Sequence, residues 1–151
     1  MDDASAITKL LQGDTDLALQ TATIPIPYSI EDARRFLCSA DPQNTYAIVV
    51  GNELVGITGM LAGTEPVEIG YWIGRIYWRR GYATYAVALL LEEARKRGIR
   101  RVAAEVFPDN PASMRVLEKS GFLRVGEAQK DLPQRGGLRT VVRFQSELSG
   151  E

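Results

Sequence analysis

Histidine is absent from the 151-residue chain and cysteine occurs once, at Cys38. Those two shortages exclude disulfide frameworks, Cys/His zinc sites and every nucleophile that depends on a histidine base, so few routes to catalysis survive and no metal is expected. No apolar run approaches the roughly 18 residues of a membrane-spanning helix. The opening Met1-Asp2-Asp3 has neither the basic nor the apolar region of a signal peptide. A cytoplasmic protein without a membrane partner is the expectation. The net charge of −1 and pI near 5.6 provide no general basic field for nucleic acid, so any anion site must be local. Neither GxxxxGK followed by Ser or Thr, nor GxGxxG after a strand, occurs.

What is present suits one domain over residues 1–151, with 45% hydrophobic and 25% charged residues. Ile7, Leu10 and Leu11 recur at helical spacing before Gly13, predicting a short helix over 3–12. Ser29 and Asp32 form a capping pair for a second helix that buries Ile30, Ala33, Phe36 and Leu37, with Cys38 packed beside them as a small apolar residue. TYAIVV (45–50) and LVGITGMLAG (54–63) read as a hairpin, and VEIGYWIG (67–74) as a third strand. Ala83, Val87, Leu90, Leu91 and Ala94 define one helical face that ends at Gly98. RRVAAEVF (100–107) reads as a central strand, and Asn110-Pro111 starts a helix that ends at Gly121. GFLRVGEA and LRTVVRFQSEL close the chain as two strands around a QRGG loop. This order predicts an α+β fold: a mixed, mostly antiparallel sheet flanked by helices.

The turn WRRGYATYA, 78–86, falls between a strand and the longest helix. A helix N-terminus presents unpaired N–H groups and a positive dipole end, Gly81 lets a phosphate approach the backbone, and Arg79 and Arg80 add charge. Taken alone, it is equally a solvated basic turn.

Its neighbours decide. EIGYWIG before it and DNPASMRVLEKSGF after the next strand, in that order and spacing, resemble the GNAT superfamily of N-acetyltransferases, more narrowly its RimJ/RimL type, over most of the chain. The resemblance implies the GNAT fold, acetyl-CoA as co-substrate, and an amine acceptor. It implies that Trp78, Arg79, Arg80, Gly81, Tyr82 and Ala83, continued by Thr84, wrap the pyrophosphate with backbone amides. It also implies that the EIGYWIG strand splays from the strand at 100–107, freeing backbone near Trp72 and Ile73 for pantetheine and the thioester carbonyl. Asn110 would reach coenzyme A as well as cap its helix, and Ser113 is either a donor to the leaving thiolate or a plain first-turn serine. Leu117 stands where many members carry a tyrosine.

With no histidine, the base must be a carboxylate, directly or through water. Glu68 is the first choice and Glu105 the second; each is otherwise a strand-surface glutamate. An α-amine, with a pKa of about 7.7–8.0, demands less of such a base than a lysine near 10.4, so a peptide N-terminus is the expected acceptor. A small-molecule amine, such as a polyamine or aminoglycoside, and a non-catalytic acyl-CoA-binding module are the alternatives. Acceptor contacts are expected from Pro25 to Tyr28, Tyr71 and the loop after Asp131. Gly70 and Gly74 are read as close-packing residues, and the basic run RKRGIRR (95–101) as a solvated helix end. Members of this family open with a strand that has no counterpart here, so the expectation is either an unpaired sheet edge covered by a second copy or a chain whose true start lies upstream of Met1.

Overall fold

The computed structural model describes residues 2–61 and 63–148. Its strands are β1 (Thr45–Val50), β2 (Glu53–Leu61), β3 (Val67–Ile73), β4 (Arg101–Val106), β5 (Leu123–Leu132) and β6 (Gly137–Glu147). They form one sheet in the order β1-β2-β3-β4-β6-β5, antiparallel at every junction except the parallel β3–β4 pair. That is the mixed, mostly antiparallel sheet anticipated. The helices are α1 (Asp3–Leu11), α2 (Thr15–Leu19), α3 (Ile30–Ser39), α4 (Tyr82–Lys96) and α5 (Pro111–Lys119). Among the described residues, no helix is long and apolar enough to cross a membrane.

Strand alternation sends side chains to two faces, and each face builds its own core. Ile69, Val102, Ala104 and Val106 pack with Val87, Leu90, Leu91 and Ala94 of α4 and Leu117 of α5. On the opposite face Ile7, Leu11, Leu17, Tyr28 and Ala33 of the N-terminal segment meet the partly buried Ile57 and Trp72. The sheet is therefore a partition between α4–α5 and α1–α3. Capping fixes where these helices begin. Asp32 Oδ2 accepts the Ser29 N–H at 2.8 Å while Ser29 Oγ accepts the Asp32 N–H at 3.3 Å, and Asn110 Oδ1 accepts the Ser113 N–H at 3.2 Å ahead of Pro111.

Several expectations require correction. The helix α2 has no counterpart in the sequence reading, because five residues are too few to show a period; Asp14 caps it through the Leu17 N–H at 3.1 Å. Cys38 is exposed rather than packed, and Leu37 is 40% exposed. Only the narrow stripe of Ile30, Ala33 and Phe36 faces the N-terminal core; at roughly 100° per residue Cys38 lies about 140° from Ala33. Strand β2 ends at Leu61, and Ala62, assigned to it from the sequence, lies outside the described residues. The run 95–101 is the solvated helix end that was expected: its basic residues are exposed, and the surface pairs of Arg97 with Glu93 at 2.9 Å and Arg101 with Glu65 at 3.4 Å leave them so. Strands β1 and β5 are the sheet edges.

Candidate active site

The strands β3 and β4 pair only at Val67–Val102 and Glu68–Ala103; beyond those positions they diverge into a fork. Strand β3 meanwhile keeps its pairing to β2 as far as Ile73–Gly56. One edge of β3 is thus left open over its second half, with backbone groups that call for partners. The Gly74 N–H bonds the Val55 carbonyl at 2.8 Å, and the period of two carries that orientation to Trp72. Trp72 therefore turns its backbone toward β2, and its ring packs in the α1–α3 core. Tyr71 and Ile73 turn theirs into the fork. The expectation that Trp72 and Ile73 both offer free backbone is corrected by this parity: of the two, Ile73 faces the opening, joined by Tyr71. Even there the Ile73 carbonyl is taken by Trp78 Nε1 at 2.7 Å, which leaves the N–H.

That indole bond ties the end of β3 to the turn before α4. Arg79 and Gly81 have φ of 66° and 80°, a left-handed conformation that glycine adopts freely and arginine rarely. Gly81 offers α4 no side-chain cap, and among the described residues no acceptor meets the N–H groups of Arg79 to Thr84. Six successive donors at a 15-residue helix N-terminus fit an anion such as a pyrophosphate. The arginines are less committed. Arg80 sits 5.7 Å from the Tyr77 ring centroid and Arg79 is exposed.

Across the fork, on the α5 side, Ser113 is half-buried and meets the Tyr71 hydroxyl, with 2.5 Å between the oxygens. Burial pushes the Tyr71 phenol above its ordinary pKa of 10.0, and the Ser113 hydrogen bond opposes that shift. Asn110 is 8% exposed and spends only its oxygen on the cap, so its amide NH₂ remains a donor. Leu117 is fully buried in the α4–α5 core. Tyr71, placed among acceptor contacts from the sequence, lines the cleft and directs its hydroxyl to α5.

On the other face Glu68 and Glu105 are both engaged. Arg143 bridges them, at 3.2 Å to Glu68 and in closer contact with Glu105, and Lys130 reaches Glu105 at 2.7 Å. Neither cation was anticipated. Arg143 stands opposite Glu105 in the β4–β6 register, and its role becomes readable only once that register is known. Farther out, Arg135 is 7% exposed and donates to the carbonyls of Ala18 at 2.7 Å, Thr21 at 2.8 Å and Ile24 at 2.7 Å. It fastens the β5–β6 connection to the segment before α3. Both lie on the rim of a cleft of about 1550 Å³ that runs from the α4 turn through the fork to Tyr28 and Gln134. Of the residues expected to contact the acceptor, Pro25, Tyr28, Tyr71 and Leu132 line the cleft, and Ile26 and Pro27 do not. The volume exceeds the roughly 300–1,000 Å³ of an ordinary small-molecule pocket, which suits two substrates meeting in one channel.

Residues 1–123 match the profile of the acetyltransferase (GNAT) domain. An N-acetyltransferase of Bacillus subtilis, YoaA, whose own role is uncharacterized, is 35% identical over 88 residues, covering 56% of this chain and 50% of that protein. The chain spans about half the length of the curated relatives it matches. A GNAT acetyltransferase of Bacillus anthracis superposes with a TM-score of 0.81 at 26% identity, covering 96% of this chain and 89% of its own. RimL, a ribosomal-protein α-N-acetyltransferase with coenzyme A bound, superposes at 0.82 with 20% identity, covering 100% and 93%, a likeness of fold.

Proposed function

The chain belongs to the GNAT acetyltransferase family, and on that premise we propose that it is an acetyl-CoA-dependent N-acetyltransferase of the RimJ/RimL type whose acceptor is the α-amine of a peptide or protein N-terminus. The observation that carries the reading is the fork: an open edge of β3 that leads straight into a helix N-terminus with unpartnered N–H groups. Acetyl-CoA supplies the activated thioester. The N–H groups of residues 79–84 and the Asn110 amide hold its phosphate and pantetheine portions, while the Tyr71 and Ile73 N–H groups are placed to polarise the carbonyl. As the amine nitrogen bonds to the acyl carbon and the carbon–sulfur bond breaks, Ser113 Oγ gives its proton to sulfur and the Tyr71 hydroxyl restores it. Solvent returns a proton to Tyr71 once CoA leaves. The proton shed by the amine passes to Glu68, through water.

The carboxylates support the acceptor class. Glu68 and Glu105 are held by Arg143 and Lys130, an arrangement that suits an amine already partly neutral near pH 7 better than a lysine.

The test is release of free CoA thiol with peptides that begin in Ser or Ala, set against polyamines and aminoglycosides, with the product mass locating the acetyl group. Release on the peptides is the expected result. Release with small amines alone overturns the acceptor class, and stabilisation by acetyl-CoA without release with any amine overturns catalysis in favour of a binding module. For assembly, the exposed edge of β1, where Val49 and Val50 are 54% and 40% exposed, is proposed to pair with a second copy; a well-folded monomer in sedimentation overturns that.

A further inference from the structure

Packing explains three of the glycines in and beside the β2–β3 ribbon. A Cβ on Gly56 would stand 2.1 Å from the Trp72 carbonyl oxygen, one on Gly59 2.7 Å from the Asn44 carbonyl oxygen, and one on Gly74 2.6 Å from Leu10. Gly70 is different. A Cβ there meets no atom within 4 Å, and its φ lies outside the left-handed region. The close-packing role read from the sequence holds for Gly74 and fails for Gly70. Glycine inside a strand is destabilising relative to alanine, so β3 keeps an unfavourable residue where the chain itself would accept a side chain. Among the described residues nothing requires it, and the cleft it lines is the remaining place to look.

Its position says where. Gly70 shares a face of β3 with Glu68 and Trp72, the face of α1–α3, and lines the cleft. The next residue, Tyr71, sends its hydroxyl through the other face to Ser113. The Gly70–Tyr71 peptide thus divides the thiol side of the fork from the acceptor side, and Glu68 follows about 7 Å along the same face. An amine nitrogen that reaches an acyl group held at the Tyr71 or Ile73 N–H has its own carbon one bond farther out, over Gly70. A branch on that carbon that turns toward β3 needs the volume that a Cβ at position 70 would fill.

We propose that Gly70 is a specificity-determining residue: the space above its Cα admits the substituent on the amine-bearing carbon, so the protein acetylates amines on branched carbons, as in a peptide whose first residue carries a side chain. The inference rests on the acetyltransferase reading above. Gly70→Ala and Gly70→Val test it, assayed by thiol release on otherwise identical peptides that begin in Ala, Ser or Gly and on a linear diamine, with CoA affinity measured by calorimetry and Tm by unfolding.

Wild type is expected to use Ala- and Ser-initiated peptides. Gly70→Ala is expected to raise Tm by about 1–4 °C, because alanine restricts the unfolded chain. CoA affinity stays within about twofold. The kcat/KM falls about tenfold or more on the Ala and Ser peptides, more for Gly70→Val, and less than about threefold on the Gly peptide. An equal fall on all acceptors, no fall on any, a lost affinity for CoA, or a wild type confined to unbranched amines overturns the proposal. A wild type that binds acetyl-CoA yet releases thiol with no amine overturns the acetyltransferase reading and this one with it, and is distinguished by its silence across the whole panel.

Discussion

The Tyr71 hydroxyl on β3 and the Ser113 hydroxyl on α5, 42 residues apart in sequence, stand 2.5 Å from one another across the fork. A pair that acts as one proton donor loses its function whichever member is removed. Ser113→Ala, Tyr71→Phe and the double variant are expected to lower kcat by similar factors, about 10–100-fold, with CoA affinity unchanged. Losses that multiply in the double variant would show two independent groups. The raised pKa of the buried phenol keeps Tyr71 protonated beyond its ordinary 10.0, so the wild-type rate should hold into the alkaline range, where a solvent-exposed phenol would already have ionised.

The turn before α4 separates backbone from side-chain recognition. Gly81→Ala forces a Cβ into a φ of 80° and should weaken CoA binding about tenfold while costing roughly 1 kcal/mol of stability. Arg80→Ala, whose guanidinium rests on Tyr77, should change CoA affinity by less than about threefold, and by less still in high salt. Isothermal titration of CoA at two salt concentrations reads both. A larger loss for Arg80→Ala than for Gly81→Ala would move recognition to the side chain.

Glu68→Gln removes the carboxylate on the acceptor face and keeps its shape. The kcat/KM on a peptide α-amine should fall about 10–100-fold near pH 7, and the deficit should shrink toward pH 9, where the amine is neutral without help. A pH-independent deficit would assign Glu68 to holding Arg143 in place rather than to the proton.

Asp14 links the start of α2 to the β3–α4 turn. The Arg75 hydrogen bonds, Nε to Oδ2 at 3.0 Å and Nη2 to Oδ1 at 2.8 Å, hold its carboxyl below the ordinary 3.8. A lowered carboxylate pKa means stability that is present above 3.8 and lost as the pH falls through the depressed value. Asp14→Asn should therefore lower Tm by about 1–3 °C at pH 7, and the gap should begin to close below pH 3.8 and vanish once the pH has fallen through the depressed value. Thermal melts across that range check the sign.

Much of this arrangement is local, and local patterns were legible. The Ser29–Asp32 capping pair, the Asn110-Pro111 start of α5 and the glycine at the mouth of α4 each lie within a few residues of what they control. What escaped depends on pairing across the sheet. Whether Trp72 or Tyr71 faces the fork is a question of strand phase against β2, which a one-residue shift reverses. Arg143 reaches Glu68 and Glu105 only because β6 lies beside β4 in a definite register. Tyr71 could have been assigned to the α5 side from its shared parity with the apolar Ile69, but which helix covers that face is settled only in three dimensions. The openness around Gly70 belongs to the same class, since an empty volume has no sequence of its own.

The Arg135 guanidinium carries a consequence for how acceptor preference can be changed. Its donors end on the carbonyls of Ala18, Thr21 and Ile24, so the β5–β6 connection and the segment before α3 form a single wall of the cleft. Loop exchange between homologous proteins is then a two-part operation. A graft that replaces residues 18–24 alone leaves a sheltered cation facing carbonyls in the wrong places, and one that replaces only the β5–β6 connection leaves those carbonyls without their donor. On the proposed function, acceptor preference is expected to transfer only as a matched pair of loops.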